Sequence, residues 1–218
     1  MGRRVVLAGF AAVVVMVAGC TGGSAGPNRS TASVGTATSG VATTSLVPTP
    51  TPTPTSPYPA DVPLTGHNVK PGEKPPTYPD AAKARSQAGA NAFAEFFMRT
   101  LDWAYATTNP SYMKHYYAPS CGQCSGLASG ISKTATDHHW YMGGRLTVHD
   151  ATGTARGSVT ADADYCFQLV IDITATSVVD KNGHILNGDG AYSGNRFKLC
   201  AAWTQITSWQ VSFLARQS

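Results

Sequence analysis

The chain has 218 residues, of which 42% are hydrophobic and 13% charged, with 16 Lys+Arg against 12 Asp+Glu. Twelve of the fourteen prolines lie before residue 80, so the front third is excluded from a packed core. The rest, about 140 residues, is enough for one domain. No basic run lines up to neutralise a row of phosphates, which excludes nucleic-acid binding of the usual kind.

Met1 to Arg4 is a short positive region, and Val5 to Ala18 follows without a charge, Asn, Gln, Pro, Ser or Thr. Such a run is too short for a permanent bilayer span and suits the core of a signal peptide. It ends in Val17-Ala18-Gly19-Cys20, which resembles the bacterial lipobox. The resemblance implies that residues 1–19 are removed and that Cys20 carries a diacylglyceryl group as the new N-terminus. The bland reading is an ordinary secretory signal with an incidental Cys20. Two or more acyl chains hold a protein firmly, so the expectation is a lipid-anchored protein whose partner is the membrane, on the extracytoplasmic face.

Residues 20–78 read as a disordered tether, with the domain at 79–218. Between 21 and 60, 28 of 40 residues are Thr, Ser, Pro or Gly, with no acid, Phe or Trp. That stretch cannot bury enough apolar surface to offset its ordering entropy. Pro48 to Pro54 alternates Pro and Thr, which favours an extended polyproline II rod. The segment 57–79 holds seven prolines and can drape over the domain surface.

The domain opens with a helix. Ala90, Phe93, Phe96, Phe97, Thr100, Leu101 and Ala104 fall on one face, with Glu95, Arg99 and Asp102 opposite as a solvated stripe. Thr107 to Pro110 ends it. Ser111 is placed to cap a short second helix, Tyr112 to Tyr117, and a third runs from about Gln123 to Thr136. Strands follow. From 157 to 179 the odd positions, including Val159, Tyr165, Phe167, Leu169, Ile171 and Ile173, form the buried face. Asp162, Asp164, Cys166, Gln168 and Asp172 face away. Phe197, Leu199, Ala201 and Trp203 form the inner set of the next strand, and Trp209, Val211 and Phe213 that of the last. Asn182-Gly183 marks a hairpin between the two long strands. A three-residue loop centred on Gly183 sets Cys166 opposite Cys200 and Phe167 opposite Leu199. The expected fold is therefore α+β, with N-terminal helices packed on a curved antiparallel sheet.

Three features carry a family resemblance: the helix 88–108, the run Pro119-Ser120-Cys121-Gly122-Gln123-Cys124, and the Gly-marked hairpin closed by Trp203 and Trp209. Over about residues 75–213 the chain resembles an actinobacterial lipoprotein family, domain of unknown function 6318, related to the nuclear transport factor 2-like, cystatin-like superfamily. The resemblance implies an anchored cone-shaped domain and brings no activity with it. The turn 204–208 lacks the Asp-Gly common before the family's last Trp.

Four cysteines outside the signal, in a compartment where disulfides persist, allow three pairings. Cys121–Cys124 and Cys166–Cys200 are favoured, since an i, i+3 pair at a helix start lies close enough to bridge. Two readings compete: a thiol-redox motif at Cys121/Cys124, which lacks a surrounding βαβ pattern, and a four-cysteine zinc site, whose second pair is too widely spaced. Catalysis in a cone cavity needs an inward base. The strand acids face outward, leaving Tyr165 as the one inward titratable group there. His138 and His139 are adjacent, so on an extended chain they diverge and share no metal, while His115, His149 and His184 are isolated. The reading is a binding or interaction domain for an unknown ligand or envelope protein, with no cofactor or metal. Its candidate pocket lining is Trp103, Tyr116, Trp140, Tyr165 and Trp203. The alternatives are a small-molecule enzyme using the cavity, or the thiol-redox protein.

Overall fold

The structure is a computed structural model that describes residues 56–155, 163–205 and 208–217. The signal peptide, Cys20, the tether as far as residue 55, Val159 and Asp162 lie outside the described residues, as does part of the turn 204–208.

The elements run α1 (Gln87–Thr107), α2 (Ser111–Lys114), α3 (Gly122–Thr136), then β1 (Trp140–Gly143), β2 (Leu146–Ala155), β3 (Tyr165–Ile173), β4 (Thr176–Val179), β5 (Ile185–Asp189), β6 (Tyr192–Thr204) and β7 (Ser208–Arg216). The fold is α+β with antiparallel pairing between all named strands. α1 starts where Ser86 Oγ accepts the Gly89 N–H at 3.0 Å, satisfying an orphan donor of the first turn. It ends at Thr108, whose φ of 52° turns the chain out of the helix. Phe93 and Phe97 are fully buried and Leu101 nearly so; each such side chain contributes about 1.5–3 kcal/mol. They share one core with Phe167, Leu169, Ile171 and Leu199 of the sheet. Odd-numbered β3 residues do face that core.

α2 is shorter than periodicity suggests, and Ser111 does not cap it. The Ser111 hydroxyl donates to Asp61 O at 2.7 Å, and its N–H goes to Asn109 Oδ1 at 2.9 Å. A second departure lies in the helix's polar stripe. Asp102 is not solvated. It accepts from Arg145, in the turn just before β2, and from the Leu146 N–H at 2.8 Å. Helical spacing reports the angle around an axis, not what another segment lays over that face.

The strands form a three-stranded sheet, order β1-β4-β5, and a four-stranded sheet, order β2-β3-β6-β7. They are the two ends of one bent ribbon, because register carries across the break. Gly143 lies opposite Thr176 and Leu146 opposite Ile173. On the other side Ile173 lies opposite Tyr192 and Thr176 opposite Asp189. Gly143 and Gly144 make the bend, at φ 69° and 67°. A Cβ on Gly143 would stand 2.0 Å from Ala175 O, so only glycine brings the two backbones together there.

The turn at Asn182-Gly183 joins β4 to β5, rather than joining the two long strands directly. Since β4 and β5 continue β3 and β6, the expected pairing survives: Cys166 faces Cys200 and Phe167 faces Leu199. In β7 the alternation fails partway. A bulge at Ser212 moves the register between Val211 and Phe213, so Leu214 enters the core and Phe213, expected inside, faces out beside Cys200.

Packing begins before residue 79, where composition places the domain boundary. Val62 is buried, and Tyr58, Val69 and Tyr78 lie against the core. Carbonyls of this proline-rich segment accept buried donors: Trp103 Nε1 to Pro63 O at 2.9 Å and the Tyr112 hydroxyl to Pro76 O at 2.6 Å. A chain without helix or strand still supplies free carbonyls, and aromatic side chains of the domain use them.

Candidate functional site

The bend in the ribbon leaves a pocket of about 510 Å³ between the sheet and helices α1 and α3. Met98 and Leu101 of α1, Leu146 and Ile173 at the bend, and Phe197 of β6 line it with apolar surface. Leu127 and Gln123 of α3 form a wall, and Asn187, Asp189, Tyr192 and Arg216 stand at its exposed rim. The Arg216 guanidinium lies 5.6 Å from the centre of the Tyr192 ring, a cation–π distance. Inside, Tyr105 meets Tyr141 edge-on at 4.9 Å, and the Tyr141 hydroxyl and Thr134 Oγ1 are 3.0 Å apart. Burial pushes the Tyr105 phenol up to about 12, so it stays neutral and cannot serve as a base at ordinary pH. A mostly apolar hollow with a few polar groups at its mouth is the usual form of a small-ligand site.

None of the five aromatic residues expected to line a pocket borders this one. Trp103 is buried beneath Pro63. Tyr116 belongs to an aromatic nest, 4.8 Å from Phe96 and 5.8 Å from Tyr78. Tyr165 and Trp203 both pack edge-on against Trp209, at 5.8 and 5.0 Å. Trp140 stacks on His67 at 3.9 Å and lines a different groove. Alternation along a strand tells which face a residue takes, not how far along the strand a void opens. The residues that do line the pocket include Leu101, Ile173 and Phe197, each legible as inward from periodicity. What periodicity cannot show is that they meet space instead of one another.

The cysteines pair as Cys121–Cys124 and Cys166–Cys200, with Cα separations of 5.3 and 4.0 Å. Cys121 and Cys124 are buried, which withholds the exposure that thiol exchange needs. The histidines that read as isolated each face a carboxylate: His115 with Asp61 at 2.8 Å, His149 with Asp172 at 2.7 Å, and His184 with Asp180 at 3.2 Å. Asp172 sits on the outer side, held below the usual carboxylate range by the Gly194 N–H and then His149. Among the described residues no group of three or more His, Cys, Asp or Glu side chains is arranged to hold a metal ion.

The model of a family of unknown function, DUF6318, matches residues 67–214. The chain belongs to that family. The DUF6318 match takes in α1, the Cys121–Cys124 turn, the bend and most of β7. No curated protein matches the chain. Among solved structures, the intermembrane space region of the chloroplast protein ARC6 is similar at 10% identity and a TM-score of 0.43, covering 62% of this chain and 98% of that one. Among the described residues no helix is long and apolar enough to cross a membrane.

Proposed function

We propose that this DUF6318 protein is a non-catalytic binding domain, held by an acylated Cys20 on the extracytoplasmic face of the cytoplasmic membrane. Its pocket at the sheet bend takes a small amphipathic ligand. The observation that carries the reading is the pocket itself, about 510 Å³ with an apolar floor and a charged rim. The rim places Asp189 and Arg216 where a ligand's polar end emerges, while Leu101, Ile173 and Phe197 receive its apolar body. The anchor is supported by the lipobox-like Val17-Ala18-Gly19-Cys20 and the extracytoplasmic setting by two disulfides. The nuclear transport factor 2-like cone is supported by the bent ribbon and by the core that α1 shares with it.

The test is titration with the amphipathic fluorophore 1-anilinonaphthalene-8-sulfonate. The folded chain takes up one equivalent saturably, and Leu127→Trp, which fills the pocket from its α3 wall, weakens uptake at least ten-fold. Gln168→Ala, on the exposed outer face of β3, leaves it unchanged. Absence of saturable uptake, or equal uptake by Leu127→Trp, overturns the reading.

A further inference from the structure

A second concave surface lies away from the bend, where the end of α3 meets β1 and the β4–β5 hairpin. Two cavities of about 420 and about 270 Å³ share His138, His139 and Lys181 as lining. His67 and Trp140 flank the larger, and Asp137 and Asp180 the smaller. On an extended chain His138 and His139 diverge. Here His138 takes φ 59°, which breaks the alternation and lets both imidazoles line the same groove. Thr108, at φ 52°, borders it too, with Oγ1 accepting the Tyr141 N–H at 3.1 Å. Two of the three described non-glycine residues at positive φ therefore sit on one groove. Such backbone costs about 1–3 kcal/mol per residue and gathers where a site is held in shape.

We propose that this groove is a pH-gated site for a compact phosphate-type anion, independent of the pocket at the bend. The charge arrangement favours it. Asp137 is engaged by Lys133 at 2.7 Å, and that contact first, with His139 and His138 adding at longer range, holds its carboxyl below the usual range. Asp180 accepts the Asn182 and His184 N–H groups at 2.8 and 2.9 Å and faces His184 Nδ1. Both acids thus have partners. The side chains of His67, His138, His139 and Lys181 form no ion pair or hydrogen bond with another described residue. With neutral imidazoles, Lys133 and Lys181 balance Asp137 and Asp180, and the groove carries no net charge. Imidazoles change charge between about pH 5 and 8. Protonating His67, His138 and His139 adds three positive charges around one concavity, enough to draw in a phosphate-type anion. His67 lies flat on Trp140, 3.9 Å between centres at 11°, which fixes one wall.

The probes are inorganic phosphate and phenyl phosphate, titrated into the folded chain at pH 5.5 and 7.5, followed by calorimetry and by the histidine Cε1–H resonances. Binding is expected at pH 5.5 and at least ten-fold weaker at pH 7.5, with the His138 and His139 resonances shifting. Tighter binding of phenyl phosphate assigns the site to a phosphate ester; equal binding assigns it to the free oxyanion. His138→Asn, which tolerates the same backbone, combined with His139→Gln, reduces binding at least ten-fold. His149→Gln, on the outer face of the sheet, does not. Thermal unfolding of each variant reports that it is folded. No binding at pH 5.5, equal affinity at the two pH values, or full binding by the double variant overturns the proposal.

Discussion

Arg145 and Asp102 meet in a two-point ion pair, with Nη2 2.7 Å from Oδ2 and Nε 3.0 Å from Oδ1. The same guanidinium grips Glu73, and its Nη1 donates to Asn68 O at 3.3 Å. One side chain thus ties the β1–β2 turn, α1 and the proline-rich segment together. The Arg145 and Asp102 side chains are only 19% and 17% exposed, so removing Asp102 leaves Arg145 with Glu73 as its one carboxylate and strips the Leu146 N–H of its acceptor. Asp102→Ala is expected to cost about 1–3 kcal/mol, read from urea denaturation.

Glu73 gives that clamp a pH dependence. Its carboxyl is held below the usual range, first by the hydrogen bond from Arg145. A carboxyl depressed on folding stabilises the fold above its unfolded pKa, and the contribution is lost as pH falls through the folded one. Wild type should therefore lose stability between about pH 5 and pH 3 by a component that Glu73→Gln lacks. The difference between the two proteins in thermal midpoint shrinks toward zero at the acid end. A difference that stays constant across that window counts against the assignment.

Residues 57–78 behave as part of the domain. A chain that begins at Asp80 loses the buried Val62 and the acceptors of Trp103 and Tyr112. It also loses Glu73, one of Arg145's two carboxylates. Val62 alone represents about 1.5–3 kcal/mol. Truncation to Asp80 should lower the urea midpoint sharply, whereas truncation to Ser56 should leave it where it is.

The two disulfides differ in the span they close. Cys166–Cys200 has a sequence separation of 34 and Cys121–Cys124 one of 3. In the entropic account the long loop contributes roughly 3–4 kcal/mol and the short one less. Replacing Cys166 and Cys200 by Ala should reduce stability by that amount, and replacing Cys121 and Cys124 by clearly less. Peptide mass mapping without reductant checks the pairing first.

Gly143 and Gly183 both have positive φ, at 69° and 84°, yet their substitutions should differ. A Cβ on Gly143 meets Ala175 O at 2.0 Å, while one on Gly183 meets nothing within 4 Å. Gly143→Ala should cost at least about 3 kcal/mol, because a clash adds to the backbone strain, and Gly183→Ala about 1 kcal/mol. Gly143→Ala should also weaken fluorophore uptake, since the bend shapes the pocket.

At the N-terminus the expected outcome is chemical. Intact-mass spectrometry of the membrane fraction should find Cys20 as the first residue with a diacylglyceryl mass added. Cys20→Ser should move the chain out of that fraction without altering the fold of residues 56–217.

Much of the fold was legible before any coordinates. Alternation along 165–173 identified Phe167, Leu169 and Ile171 as inward, and hairpin arithmetic placed Cys166 opposite Cys200. Both follow from a backbone that repeats every two residues. The same logic failed at Phe213, because a bulge inserts one residue and nothing local announces it. It failed for Asp102 and for residues 57–78, because their partners are remote: Arg145 in one case, the buried indole and phenol of Trp103 and Tyr112 in the other.

The sequence by itself therefore determined the α+β class and the inward face of β3, and favoured one of three cysteine pairings, from backbone periodicity and side-chain polarity. Only the tertiary structure decided where space is left. The pocket exists because Gly143 and Gly144 bend a ribbon that would otherwise close on α1. The histidine groove exists because one residue, His138, turns its backbone left-handed. A void is a property of how distant surfaces fail to meet, and no local pattern of residues encodes it.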